Sequence, residues 1–342
     1  MFDDYNRRDF IRATGAVGLA GLAGCTGGDD SDSNGNGGDG DDGTTKKDGG
    51  SGGDGGSGGG KNLSWHAGGT GGTYYPLSNE FKKIVEANSS HTLTVKSTGA
   101  SVANVGSLAQ GKADFALIQN DVAYFAKNGE GLDEFKGKPI ENLRGVATLY
   151  PETIHIIARG DSNISTIGDL SGKVINTGNL GSGTQVNAVQ ILEAVGISDY
   201  TEQNTGFSTA TEQLKNGDID AAFVVGGWPV GAVAELATTS DITIVEVKGD
   251  NRKKIKDAAS WFADDKIPAG TYDGVDSAKE TVSVQAMIAT RSELDAKVVE
   301  EVTKAIFDNT SDLTIKTDFI TKDSAQDGMS IELHEGAKAY FG

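Results

Sequence analysis

Two short stretches place glycine and hydroxyl residues where a backbone can hold an anion: Gly71-Gly72-Thr73 and Gly181-Ser182-Gly183-Thr184. Each follows an apolar run of β type and opens a segment of helical period. The unpaired amide hydrogens of a helix start, and the positive end of its dipole, therefore face whatever sits at the turn. Thr98-Gly99-Ala100-Ser101 and Thr205-Gly206-Phe207-Ser208 repeat the device one strand further along. Glycine lets a ligand approach the main chain, and the hydroxyls of Thr73, Ser101, Ser182 and Thr184 can either cap their own helices or donate to an acid group. The chemistry on offer is capture of a carboxylate.

The residues that would do other chemistry are poorly arranged for it. Four histidines, His66, His91, His155 and His334, include no pair at the i,i+4 spacing of a helical zinc site. Gly181-Ser182-Gly183 is not G-x-S-x-G, and no phosphate-binding G-x-x-x-x-G-K-[ST] occurs. The expectation is a protein that is not an enzyme, with no catalytic residue, no metal and no cofactor. The rival reading is an exported enzyme with an unmarked site.

Apolar runs at Leu63–Trp65, Leu93–Lys96, Phe115–Ile118, Gly145–Leu149, Ile154–Ala158, Val174–Asn176, Ala221–Val225, Ile242–Val247 and Val282–Ile288 read as strands. Segments of helical period fall at Pro76–Ala87, Val102–Gln110, Thr184–Val195 before Gly196, Thr209–Asn216 before Gly217, and Ala296–Asp308. Alternation of this kind is α/β patterning. It is also duplicated: Leu108, Gly111, Asp114 and Ala116 share the spacing L-x-x-G-x-x-D-x-A with Leu214, Gly217, Asp220 and Ala222, each set after the same order of turns. Two similar lobes are expected, with a ligand cleft between their helix starts.

Arg7-Arg8, Phe10-Ile11 and the uncharged run Ala13–Gly24 have the layout of a twin-arginine export signal, residues 1–24, ending in Leu22-Ala23-Gly24 before the chain's one cysteine. Cys25 is expected to be the lipidated mature N-terminus. Residues 25–60 are almost wholly Gly, Asp, Ser, Asn and Thr with nothing large and apolar to bury, the composition of a flexible tether. Acidic residues outnumber Lys and Arg by 49 to 30, a net charge of −19, and the leader carries three of each sign, so the mature chain keeps the whole surplus. A nucleic-acid partner is disfavoured. An extracytoplasmic, membrane-tethered protein with a solvated acidic surface is expected. Four sequons, at Asn62, Asn88, Asn163 and Asn309, leave glycosylation open.

More specific motifs accompany these features: Gly72-Thr73-Tyr74-Tyr75-Pro76-Leu77, Ser97 to Val105, Leu117-Ile118-Gln119-Asn120-Asp121, Leu149-Tyr150-Pro151-Glu152, Gly181 to Thr184, Asp220 to Phe223, Gly226-Gly227-Trp228-Pro229 and Gly270-Thr271-Tyr272. Through them Lys61–Phe341 resembles the TAXI family, the extracytoplasmic solute receptors of TRAP-type tripartite transporters. The resemblance implies a type II periplasmic-binding-protein fold, sodium-coupled uptake through separate membrane subunits, and a cargo such as glutamate or 2-oxoglutarate. It assigns no arginine anchor. Carried over by position, the cleft is lined in one lobe by Thr73, Tyr74, Gly99, Ser101, Gln119 and Asn120, and in the other by Ser182, Gly183, Thr184, Gly227, Trp228 and Pro229. Glu152 falls at the crossing between lobes, where it can receive a ligand ammonium or accept hydrogen bonds from the hinge. Tyr74 and Trp228 can stack on a ligand or pack between lobes. The expected division is residues 61–149 and 276–342 for the first lobe and 150–275 for the second. A ligand sensor that presents its bound form to a signalling receptor would use the same cleft.

Overall fold

The computed structural model describes residues 59–342. The export signal, Cys25 and all but the last two residues of the tether lie outside that range. From Asn62 the elements alternate: β1 (Asn62–His66), α1 (Tyr74–Asn88), β2 (Thr92–Lys96), α2 (Ser101–Ala109), β3 (Phe115–Gln119) and α3 (Asn120–Asn128). After β4 (Leu143–Arg159) the order recurs as β5 (Lys173–Asn176), α4 (Gly183–Val195), β6 (Tyr200–Gln203), α5 (Phe207–Asn216), β7 (Ala221–Gly226) and α6 (Gly231–Thr239). There follow β8 (Ile242–Ile244), α7 (Gly249–Ala258), β9 (Ala263–Ile267), β10 (Lys279–Arg291), α8 (Ala296–Phe307) and α9 (Glu335–Phe341).

One sheet runs β2-β1-β3-β10-β4-β7-β5-β6, with β8 on β4 and β9 on β10. Its two halves mirror each other about the β10–β4 pair. In the first, β2, β1 and β3 are parallel and β10 returns antiparallel to β3; in the second, β6, β5 and β7 are parallel and β4 returns antiparallel to β7. Three strands of its own plus one returning strand in each half give the two-lobed type II periplasmic-binding-protein fold. The duplicated aspartates do one job twice: Asp114 accepts from Ser64 N in β1 at 2.9 Å, and Asp220 accepts from Val174 N in β5 at 2.8 Å.

Burial follows strand period. Trp65, Phe115 and Leu117 join α1 and α8 in one core layer, whereas Ala116 and Ile118 pack with Val105 and Leu108 of α2 and Val122 of α3 on the opposite face. In the second half Ile154, Ile156, Ile175 and Phe223 pack with α4, and Ile157, Ala222 and Val224 with α5 and α6. Left-handed Gly196 (φ 84°) and Gly217 (φ 80°) end α4 and α5 where the sequence placed their stops. Helix α1 begins two residues before Pro76, whose missing N–H lies in a first turn that has no ladder bond to lose.

Two sequence expectations change. Gly145–Leu149 and Ile154–Ala158 are one 17-residue strand, β4, which stays continuous through Pro151. The register with β10 slips between Gln285 and Met287, next to Pro151, so the bulge falls where proline has no N–H to give. Helices α3, α6, α7 and α9 and strands β6 and β9 were not among the expected elements. Among the described residues no helix is long and apolar enough to cross a membrane.

Candidate functional site

Four helices start where the two halves of the sheet face each other, because each leaves the carboxyl end of a parallel strand and the strands of the second half run opposite to those of the first: α1 after β1, α2 after β2, α4 after β5 and α5 after β6. Their first residues, with Gly68–Gly72, Ser97–Ala100, Asn179 and Gly206, line a cavity of about 310 Å³. Only one of the four starts is closed by its own side chain: Ser182 Oγ accepts from Gln185 N at 3.1 Å. Thr73 instead donates across the cleft to Gly227 O at 3.1 Å, and Ser101 Oγ accepts from Gln119 N at 3.1 Å. Helices α1, α2 and α5 carry no side-chain cap, so their amide ends and dipoles are turned on the cavity.

Glu152 forms the floor. It is 3% exposed, and its Oε2 accepts from Tyr74 OH at 2.9 Å while Oε1 accepts from Tyr150 OH at 3.4 Å. Burial pushes its carboxyl up to about 8, against the opposing pull of hydrogen bonds from Tyr74 and Gln119. Tyr74 is pushed well above the ordinary phenol range by burial and then by Glu152. Its hydroxyl is thus committed as a donor, and its buried ring packs in the first-lobe core. Gln119 is 2% exposed and its Oε1 has no partner among the described residues. Two residues on, Asp121 accepts from Asn187 Nδ2 of α4 at 2.9 Å, and burial raises its carboxyl to about 6. Among the described residues no lysine or arginine lines the cavity. The nearby Lys316 donates to Trp228 O and sits 5.8 Å above the Tyr150 ring and 5.6 Å above that of Trp228; burial lowers its amine to about 8.

Thr73, Tyr74, Gly99, Ser101, Gln119, Glu152, Ser182, Gly183 and Thr184 meet in this lining, and Asn120, Gly227, Trp228 and Pro229 do not. Asn120 faces the carboxyl-terminal segment, where it donates to Gly328 O at 2.7 Å and accepts from Ser330 N at 3.0 Å. Thr73 ties the Gly227–Pro229 turn to the start of α1. Thr73, Tyr150 and Lys316 crowd Gly227, Trp228 lies edge-on to Phe319 at 6.4 Å, and Pro229 is exposed. Sequence reasoning left Phe207, Ser208, Thr209 and Asn179 off the site. The signal for the first two was the Thr205–Ser208 repeat of Thr98–Ser101.

The lobes touch across the cavity. A Cβ on Gly183 would stand 2.0 Å from Gln119 Oε1 and 2.9 Å from Ser101 Oγ, and one on Gly71 would stand 2.6 Å from Ser208 Oγ. Only hydrogen at these positions permits the approach. The arrangement can enclose a small molecule, present many donors to an acid group, and set a buried carboxyl at the floor.

A family model described as the NMT1-like family matches residues 66–342. Solved structures similar to this chain include the substrate binding protein of an amino acid ABC transporter, at 14% identity and TM-score 0.42, covering 72% of this chain and 91% of that one. An ancestral arginine-binding protein bound to arginine matches at 15% identity and TM-score 0.44, covering 82% and 98%. A periplasmic transporter matches at 12% identity and TM-score 0.48, covering 72% and 81%. At these identities the likeness concerns fold alone.

Proposed function

This chain belongs to the NMT1-like family, and from that premise we propose that it is an extracytoplasmic solute-binding protein that captures a small carboxylate or amino acid between its lobes. The observation that carries this reading is the convergence of four helix starts, three without a side-chain cap, on a cavity that no basic side chain lines among the described residues. An anion held there is neutralised by backbone amides from both lobes. The site residues are those of the lining: Thr73, Tyr74, Gly99, Ser101, Gln119, Glu152, Ser182, Gly183 and Thr184. The lobes are 61–149 with 276–342, and 150–275, hinged where β4 and β10 pass between the halves of the sheet. A thermal-shift screen against organic acids and amino acids tests the reading. A specific ligand at 100 times its Kd adds about 2.7 kcal/mol and raises Tm. A flat screen across both classes refutes it.

In its finer form the protein is a TAXI-type receptor that hands glutamate or a 2-oxoglutarate-like acid to sodium-coupled TRAP membrane subunits, while Cys25 keeps it at the outer face of the membrane by a lipid. The motifs from Gly72 to Tyr272 support the first part and the Leu22-Ala23-Gly24-Cys25 box supports the second. Vesicles carrying the membrane subunits should accumulate cargo only with this protein and a sodium gradient. Cys25→Ser should release the mature chain or block its processing; unchanged membrane retention removes the anchor.

A further inference from the structure

The four N-x-[ST] sequons all fall on described residues, and the fold treats them differently. Asn62 stands in β1, its backbone in register with Thr92 and its Oδ1 accepting from Thr94 Oγ1 at 2.9 Å. Asn88 is the last residue of α1 and donates its amide to Ile84 O at 2.9 Å; Asn309 follows α8 and donates to Ala305 O at 2.8 Å. Both amide nitrogens are held by their own helices, and both residues line one surface hollow with Glu301 and Asp308. Asn163 differs on each count. It lies in the loop between β4 and the 3-10 turn Ile167–Leu170, exposed, with a left-handed backbone (φ 58°) that asparagine tolerates and with no side-chain hydrogen bond to a described residue. Ile164 is buried in the second-lobe core at 3% exposure, whereas Asn163 and Ser165 on either side of it are exposed. The isoleucine pins the loop, and the amide and hydroxyl of the sequon reach solvent together. Ser165 Oγ has only a 3.4 Å contact, to an Asp169 oxygen that already accepts from Ser165 N, Thr166 N and Thr166 Oγ1.

On the extracytoplasmic reading above, we propose that Asn163 carries an N-linked oligosaccharide and that the other three sequons stay bare. The donor is an oligosaccharide joined through its anomeric carbon to a lipid-linked phosphate. Asn163 Nδ2 forms the new bond to that carbon, and the carbon–oxygen bond to phosphate breaks. The electron pair leaves on the lipid phosphate, and the Nδ2 proton goes to a base of the transferase. A transferase that meets the folded protein needs a free amide nitrogen, an accessible hydroxyl two residues on, and a loop outside the strand and helix ladders. Among the four sequons only Asn163 offers all three. The loop follows the end of β4 that pairs with Ala221, whereas the cavity meets β7 at Val225, so a bulky polar group there leaves the cleft clear.

Mass spectrometry of the mature protein, purified from its own cells, reads the modification directly. Trypsin releases residues 160–173 as one peptide that holds Asn163 and no other sequon asparagine. The expected result is added sugar mass on that peptide, with the peptides spanning Asn62, Asn88 and Asn309 at their sequence mass. Asn163→Gln and Ser165→Ala should each remove the added mass, and Ser165→Thr should keep it. An amine reagent that does not cross membranes, applied to intact cells, reports location separately. A bare 160–173 peptide in protein labelled on intact cells overturns the inference and leaves the extracytoplasmic reading standing. Sugar at Asn62, Asn88 or Asn309 overturns it too, because the folded surface then does not choose. A bare peptide from protein labelled only after lysis removes the inference and the extracytoplasmic reading together.

Discussion

His155 is a buried base whose tautomer the structure fixes. Its Nδ1 lies 3.0 Å from Thr153 O and 3.2 Å from Val224 O, both acceptors, and so carries the ring proton; Nε2 is left to accept from Tyr272 OH at 2.9 Å, and that hydroxyl accepts from Val230 N at 2.9 Å. Burial lowers the imidazole to about 4, with backbone acceptors opposing. A folded-state pKa below the unfolded one means that the unfolded chain binds more protons in between. The stabilisation is therefore present above about pH 6.5 and is lost as pH falls through 4, a span worth about 3 kcal/mol. Denaturant titrations from pH 7 to 4 should show this fall, and His155→Gln should flatten it. At Gly183 the same scale of reasoning gives a binding effect. Valine there would drive Cβ into Gln119 Oε1 across the cleft. Ligand affinity should drop by roughly tenfold or more, because closure is obstructed, while the ligand-free melting temperature stays near its original value. Normal binding by a folded Gly183→Val protein would show that the turn only rounds a corner.

Between elements, α3 and α4 meet across the lobes through Asp121 and Asn187, both buried, each with one oxygen that has no side-chain partner among the described residues. Asn187→Ala removes the donor to a buried carboxyl and should cost about 1–3 kcal/mol of the closed arrangement, read as weaker ligand binding. Because burial raises the Asp121 carboxyl to about 6, against the pull of Asn187, its contribution to the stability of the folded protein is full below its ordinary value near 3.8 and is lost as pH rises through 6. Asp121→Asn keeps an amide facing Asn187 and loses the titration. Stability measured by denaturant titration from pH 4 to 8 should fall less in Asp121→Asn than in the unaltered protein. An identical profile in the two would remove Asp121 as the titrating group.

At the scale of the whole molecule, the long strands β4 and β10 are the continuous links between the halves of the sheet, and the bulge beside Pro151 lies between them. Bending there can separate the helix starts of one lobe from those of the other without breaking either core. A ligand that touches both lobes favours the arrangement in which they meet. Solution scattering, or a distance label on Ser107 of α2 and Thr239 of α6, should report compaction when the acid or amino acid found by thermal shift is added. Saturating ligand with no change in dimensions would mean that the ligand does not bridge the lobes.

The residue order by itself determined the α/β alternation, the repeat and the four helix starts, because each is written in local terms: strand period, glycine stops at Gly196 and Gly217, and turns within a few residues of one another. It also determined the acidic surplus. The floor of the cavity was decided by tertiary structure. Tyr74 and Glu152 meet across 78 residues of chain, and Asp121 and Asn187 across 66. Asn120 and Trp228, equally good candidates by motif, turned elsewhere because each found a partner in the carboxyl-terminal segment, at Gly328 and Ser330 for one and at Lys316 and Phe319 for the other. A motif fixes where a residue lies along its strand or turn. Which side chain then faces the ligand depends on the strand pleat, the bulge in β4 and the segment that packs behind, and these exist only once the lobes are assembled.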